Sequence, residues 1–199
     1  MNRLVLSSVV IIWLSFPVQN LVAAPAGWKE NVHLLPQYCK DRATAKGNPQ
    51  DPWAKWRRTF GKTYIHIHHY CNGSYAEQKA KLTANKKERL AFLGKVIGEM
   101  RYVSPACSKE CVLYPELHSR WGWALGEQGK VGEAIKHYQQ AIRVKKTYTK
   151  AYAGLSDLFV KANQHDEARK VLKEGLAARP KSRMLQRRLQ KLNKTNKVH

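Results

Sequence analysis

The sequence predicts an all-α protein built from stacked helix pairs, and two observations carry this prediction. When residues 115–182 are aligned with themselves at an offset of 34 positions, similar residues coincide. Each copy also carries a large-small residue pair in its first half and a small residue in its second half, which suits two helices that pack closely. A self-match at this period indicates a helical repeat, with copies at 115–148 and 149–182. The matching pairs are His118 and Tyr152, Trp121 and Leu155, Gly122 and Ser156, Leu125 and Phe159, Ala134 and Ala168, and Tyr138 and Leu172.

The second copy resembles the tetratricopeptide repeat (TPR) family. The resemblance covers residues 115–182 and the helix that follows, which is less than half of the chain, and the first copy has Lys146 where the family usually has proline. It implies a TPR-like α-α superhelix, a short solenoid, whose concave face typically binds a peptide or protein. The residues that carry it are Tyr152, Leu155, Ser156, Phe159, Ala168, Leu172, Gly175, Leu176 and Pro180.

Residues 1–26 have the pattern of a secretory signal peptide. Arg3 precedes an apolar run from Leu4 to Phe16, and the small residues Ala24 and Ala26 suit a signal peptidase. The run is short for a membrane span, so we expect cleavage, with retention as an anchor as the alternative. The pattern predicts an exported bacterial protein, periplasmic or secreted, with no stable membrane span after cleavage.

The charge of the chain is strongly positive. Lys and Arg number 36 against 14 acids, a formal charge of +22. Such a protein is expected to meet anionic partners, such as an envelope surface or an acidic protein. The export signal argues against nucleic acid as the partner.

Four cysteines in an exported chain favour two disulfides. Three pairings are possible, and we predict Cys39 with Cys71 and Cys107 with Cys111. The close pair could instead ligate a metal, but no second close pair completes such a site.

Residues 27–50 contain prolines and glycines without periodicity, and we expect an irregular arm there. Residues 51–114 are expected to form the extra N-terminal helices of the fold. The first begins at Pro52, stops at Gly61 and is expected to dock on the repeats through its aromatic residues. Its aromatic residues are Trp53, Trp56 and Phe60.

A second N-terminal helix is predicted to begin with a capping box. Asn85 would cap the helix, and Glu88 would return to the backbone of Asn85. The apolar face that follows is expected to pack as the layer before the first repeat. This face consists of Leu90, Leu93, Ile97 and Met100.

The segment from Thr63 to Cys71 is rich in histidine and is expected to be helical. His66, His68 and His69 can be interpreted as a copper or zinc site, since imidazoles bind both metals. The alternatives are that they hydrogen-bond the N-terminal arm to the first repeat, or that one of them is catalytic. Single-segment clusters seldom meet the geometry of a site, which favours the hydrogen-bonding role.

The resemblance implies which residues face the concave groove. Trp123 is not needed for the packing of its own repeat, so it is either an interface anchor or packs under the N-terminal helices. Ser119 and Trp123 occupy the places where some relatives clamp a carboxylate, so no such clamp is expected. The implied groove residues are Ser119, Trp123, Gly126, Glu127, Lys150, Ala153, Asp157, Val160 and Lys161.

A last helix after Pro180 is expected to cap the stack with a polar outer face. Its basic residues form either a solvated face or a cationic patch that attracts an anionic partner and extends into the tail at 193–199. The apolar stripe consists of Leu185, Leu189 and Leu192, and the basic residues are Arg183, Arg187, Arg188, Lys191 and Lys194.

These features favour a non-enzymatic adaptor that holds a protein or peptide partner in the cell envelope, with no cofactor. The sequence contains no Gly-rich phosphate loop, nucleophile elbow or zinc-protease helix. The alternatives are a metal-binding protein that uses the three histidines and a cell-wall-associated enzyme.

Overall fold

The computed structural model describes His33 and residues 35–44 and 52–195. The predicted signal peptide and the end of the basic tail lie outside these residues. Every regular element in the described part of the chain is helical. The α-helices are α1 (Gln37–Thr44), α2 (Pro52–Phe60), α3 (Ile67–Leu82), α4 (Lys86–Val103), α5 (Tyr114–Glu127), α6 (Val131–Val144), α7 (Thr149–Lys161), α8 (His165–Ala178) and α9 (Arg183–Thr195).

The two sequence copies fold as antiparallel hairpins, α5 with α6 and α7 with α8, and the hairpins stack on each other. Close packing depends on small residues. A Cβ at Gly175 would lie 2.8 Å from the ring of Tyr152 and 2.7 Å from Leu185 of α9. The turns inside the two hairpins use left-handed residues, Gly129 (φ 80°) and Asn163 (φ 57°). The predicted all-α repeat architecture is confirmed.

A third hairpin, α3 with α4, precedes the two repeats in the same stacking order, with α4 packed on α5. The 34-residue offset does not reveal this hairpin, because its two helices approach each other at positions that do not match those of the later repeats. A Cβ at Gly73 would lie 2.4 Å from the end of Met100. The connection from α4 to α5 spans 104–113, longer than the turn between the repeats. The predicted single layer before the first repeat is therefore a full helix pair.

The N-terminal arm, expected to be irregular, contains the helix α1. Tyr38 packs edge-on against Phe60, with ring centroids 5.1 Å apart. Cys39 is fully buried, and its Sγ lies 1.99 Å from that of Cys71 in α3. The expectation of an irregular arm was wrong for residues 37–44, because aromatic packing and this cysteine contact support a helix too short to be stable alone.

The helix α2 begins and ends as predicted, with Gly61 in a left-handed conformation after it. Its expected docking on the repeats is wrong. It packs mainly on α1 and on the 3₁₀-helix Gly61–His66. The indole of Trp56 donates a hydrogen bond of 2.6 Å to Asp41 of α1. The aromatic face of α2 therefore covers the helix that the sequence did not predict.

The start of α4 matches half of the predicted capping box. The Asn85 side chain accepts a hydrogen bond of 3.0 Å from the Glu88 backbone N–H. The Glu88 carboxylate, however, accepts from the Thr83 hydroxyl, which also accepts from the Asn85 N–H. Thr83 thus takes the place expected for Glu88. Leu90 of the predicted apolar face is exposed, whereas Leu93 and the rest of that face are buried.

Within the described residues, no helix is both long enough and apolar enough to cross a bilayer.

Candidate functional site: a concave groove

A groove runs along the concave side of the stack, where α3, α5, α7 and α9 lie side by side. Its main cavity has a volume of about 490 Å³. A neighbouring cavity of about 280 Å³ shares four lining residues with it, so the two form one continuous depression. The shared residues are Trp123, Tyr138, Gly154 and Asp157.

The floor of the groove is aromatic because a glycine lets a tyrosine reach it. A Cβ at Gly154 would lie 2.5 Å from the ring of Tyr138, so no larger residue fits there without moving that ring. Trp123 is half-buried beside Tyr138, and the Lys81 ammonium lies 4.8 Å from the centroid of its ring. Trp123 therefore contacts an N-terminal helix and also lines the groove, and its role as an interface anchor stays a prediction.

One wall of the groove is held by a buried charge cluster around Arg120. This guanidinium pairs with Glu77 of α3 and, at 2.7 Å, with Glu116 one turn earlier on α5. It also donates to the hydroxyl of the fully buried Tyr70. Burial raises the pKa of Glu77, but Arg120 and Lys81 outweigh burial and hold it below its usual value. Glu77 therefore stays ionised, and its pair with Arg120 ties α3 to the first repeat.

Three further ion pairs bridge neighbouring helices along the groove. Glu127 at the end of α5 accepts hydrogen bonds from Arg89 of α4 and Lys161 of α7. Burial raises the pKa of Glu127, but the two cations lower it by a larger amount, so the pKa lies below its usual value. At the other side, Arg188 of α9 forms a two-pronged pair with Asp157 of α7, at 2.9 Å. Charged residues predicted to bind a partner thus also join adjacent helices.

The structure brings most of the predicted binding residues together in this groove. Lys150 is exposed there and forms no ion pair with a described carboxylate, whereas the Ser119 hydroxyl is buried without a hydrogen-bond partner among the described residues. Val160 lines a separate cavity beside α9, and Arg187 is exposed outside the groove. The groove residues are Ser119, Trp123, Gly126, Glu127, Lys150, Ala153, Asp157, Lys161 and Arg188.

Several lining residues were not identified from the sequence. Those on α3 belong to the hairpin that the 34-residue offset does not reveal. Arg120 and Glu116 lie four residues apart on one helix, a spacing that favours an ion pair, but their contact with α3 has no signal in the sequence. The residues missed are Glu77, Gln78, Lys81, Glu116, Arg120, Tyr138, Tyr148, Gly154, Leu158 and Met184.

The three histidines proposed as metal ligands do not form a site. His69 pairs with Glu99 of α4 at 2.7 Å, and its ring packs on Tyr102. His66 contacts the edge of the same tyrosine, and His68 bonds to the backbone of its own segment. Among the described residues, no three His, Cys, Asp or Glu side chains are placed to hold a metal ion. The histidine segment thus joins α3 to α4, rather than the arm to the first repeat.

A different histidine pair lies inside the first repeat. The Nδ1 atoms of His118 and His137 are 2.8 Å apart, so one ring donates its proton to the other, and Trp121 stacks on His137. Burial, and for His118 also the neighbouring His137, lowers both pKa values to about 4. In the second repeat, the equivalent positions are Tyr152 and Val171. The pair is therefore an internal contact of α5 with α6 that requires neutral imidazoles.

We expect this pair to make the protein less stable in mild acid. The unfolded imidazoles bind protons near pH 6.5 and the folded ones near pH 4. The unfolded state therefore binds more protons between these values, and stability falls as pH drops through this window, by about 3 kcal/mol for the pair after allowance for exposure. Urea unfolding at a series of pH values measures this loss.

The matched variant is His118→Tyr/His137→Val, which places the residues of the second repeat in the first. It should lose less stability than the wild type between pH 6.5 and pH 4. Carboxylates such as Glu77 titrate in both proteins, so their effect cancels in the difference. Equal slopes for the two proteins would contradict the role of the histidine pair.

The stacked hairpins and the groove define a short α-helical solenoid with a concave face. Residues 126–192 match the family model described as Tetratricopeptide repeat. The matched residues run from the end of α5 into α9, and this part of the chain is similar to tetratricopeptide repeats.

A solved structure of the first TPR of Spaghetti (RPAP3), bound to an HSP90 peptide, has 18% sequence identity to this chain. The match covers 62% of this chain and 94% of that one, with a TM-score of 0.46. No curated protein matches the chain.

Proposed function

We propose that this protein is an exported, non-enzymatic adaptor that holds an extended segment of a partner protein in its concave groove. The observation that carries the proposal is the continuous groove with an aromatic floor. Tetratricopeptide repeats support binding of a peptide or protein, and the predicted signal peptide supports export. The two close cysteine pairs also support export, because disulfides persist mainly outside the cytoplasm.

The groove favours a partner segment with an apolar anchor and a nearby acidic group. Trp123 and Tyr138 offer a surface for an apolar side chain. Most charges of the groove are already paired across helices, so they add little attraction. Lys150 has no carboxylate partner among the described residues and can meet an acid on the ligand. The exposed bases of α9 extend this preference toward anionic surfaces of the envelope.

Crosslinking from within the groove tests the proposal. A photoreactive residue in place of Lys150 should yield adducts with a protein partner in intact cells. The same residue in place of Lys170, an exposed lysine of α8 outside the groove, should yield far fewer. Equal adducts from both positions, or none from Lys150, would rule out the groove as the binding surface.

We expect Trp123→Ala to weaken partner capture in this assay by at least about tenfold, because truncating a central aromatic anchor typically costs about 2 kcal/mol of binding. The control is Trp53→Ala. Trp53 is also half-buried and beneath a cation, Arg42, but it lies on α2 away from the groove. Adduct yield from Lys150 should be unchanged in the control. A similar loss in both variants would indicate a general folding defect instead.

A further inference from the structure

One edge of the stack carries a dense positive charge that the sequence order does not reveal. Glu116, Lys150 and Met184 lie near the starts of α5, α7 and α9 and line one cavity, so these starts lie at the same edge. The turns that lead into α7 and α9 are therefore neighbours there. The basic residues of these two turns and of the helix ends beside them are here named the basic edge. They are Arg143, Lys145, Lys146, Arg179, Lys181 and Arg183.

The charge of the basic edge is uncompensated. All six side chains are exposed, and none forms an ion pair with a carboxylate in the described part of the chain. Residues 143–150 contain no acid, and no acid follows Glu174 in the sequence. At the opposite edge, the ends of α5 and α7 carry both signs and pair with each other, as Glu127 does with Lys161. Charge is thus segregated between the two edges.

We propose that the basic edge docks the protein on an anionic phospholipid surface. Arginine and lysine side chains both bind phosphate headgroups. Each adds electrostatic attraction to an anionic membrane when it lies near the membrane surface. No large apolar side chain of residues 143–150 or 179–194 is exposed, so the contact is electrostatic and does not insert. The same lack of exposed aromatic rings disfavours stacking on nucleic-acid bases.

Edge-on docking keeps the groove available. The edge consists of turns at the helix ends, whereas the groove is lined along the helices themselves. A partner can therefore occupy the groove while the edge contacts lipid. This inference rests on the part of the proposed function that gives the protein an anionic surface as a partner. It assigns the contact with that surface to the basic edge instead of to α9 alone.

Vesicle binding of the full chain tests the inference. The probes are vesicles of phosphatidylcholine with and without phosphatidylglycerol, and the wild type should bind only the anionic ones, less at higher salt. Lys145→Glu/Lys146→Glu/Lys181→Glu should weaken binding by at least about tenfold. The control Lys86→Glu/Lys87→Glu/Lys130→Glu makes the same charge change at the opposite edge and should weaken binding less than about threefold.

Other outcomes would overturn the inference. Equal losses in both triple variants would show that net charge alone is responsible, and absence of wild-type binding to anionic vesicles would refute lipid docking. A greater loss from Arg187→Glu/Lys194→Glu than from the edge variant would assign the contact to α9. Tighter binding to polyphosphate or to an oligonucleotide than to vesicles would identify a linear polyanion as the ligand. None of these outcomes affects crosslinking from Lys150, so the groove proposal is tested separately.

Discussion

Arg120→Ala should lower the free energy of unfolding by about 3 kcal/mol, among the largest effects of any single substitution in this protein. The substitution removes the only cation that contacts both Glu77 and Glu116 among the described residues. Glu77 is 8% exposed and would keep only the more exposed Lys81 as a partner. A buried carboxylate without its main counter-ion is costly, because desolvation is no longer offset. Urea unfolding at neutral pH measures the change.

Arg188→Ala is the matched control for this prediction. It also removes an arginine that pairs across two helices of the groove, but both side chains of its pair with Asp157 are substantially solvent-exposed. We expect a loss of at most about 1 kcal/mol. The double variant Arg120→Ala/Glu77→Gln should recover part of the loss, since it removes the stranded charge. Equal losses for the two arginine variants would show that the cluster has no special role.

Cys39→Ala/Cys71→Ala should destabilise the oxidised protein by about 3.5 kcal/mol. The two cysteines are 32 residues apart, and crosslinking a loop of this length removes much of the conformational entropy of the unfolded chain. The predicted crosslink would also hold α1 against α3, so α1 should become sensitive to limited proteolysis in this variant. Urea unfolding and mapping of the first cleavage sites measure the two effects.

Cys107→Ala/Cys111→Ala provides the comparison, because its cysteines are only 4 residues apart and close a short loop. Its expected loss is smaller, about 2 kcal/mol, and α1 should stay protected. Thiol titration of the denatured, unreduced wild type should find no free thiols. Four reactive thiols, or equal stability of wild type and Cys39→Ala/Cys71→Ala, would contradict the predicted crosslinks.

Local patterns were sufficient for much of the fold. Asn85 and Gly61 marked helix ends correctly, because a side-chain cap and a left-handed residue act within a few positions of the chain. The small residue Ala134 of α6 marked a close helix contact correctly, since it is fully buried and a Cβ at Gly122 of α5 would lie 3.1 Å from its carbonyl oxygen. Interactions between residues close in the chain depend on local residue types, so they could be predicted from the sequence.

Contacts between distant segments were harder to predict. The short helix α1 depends on Tyr38 and Cys39 meeting residues of α2 and α3, and its own sequence has no clear helical period. The hairpin α3–α4 was missed because Gly73 and Met100 set a register unlike that of the later repeats. The histidine segment predicts a metal site, but His69 pairs with Glu99, and the rings of His66 and His69 both contact Tyr102 of the neighbouring helix.

Stacked helix pairs follow from the 34-residue repeat alone, because both copies carry the same pattern of packing residues. The family resemblance adds the expectation that residues such as Trp123 and Asp157 face the groove. Which charges compensate one another depends on contacts that form when the chain folds. Arg120 meets Glu77 across 43 positions of the chain, and the turns around Lys145 and Lys181 become neighbours only when the hairpins stack. Electrostatic energy depends on distance in space rather than along the chain, so pairing and charge segregation emerge only with the fold.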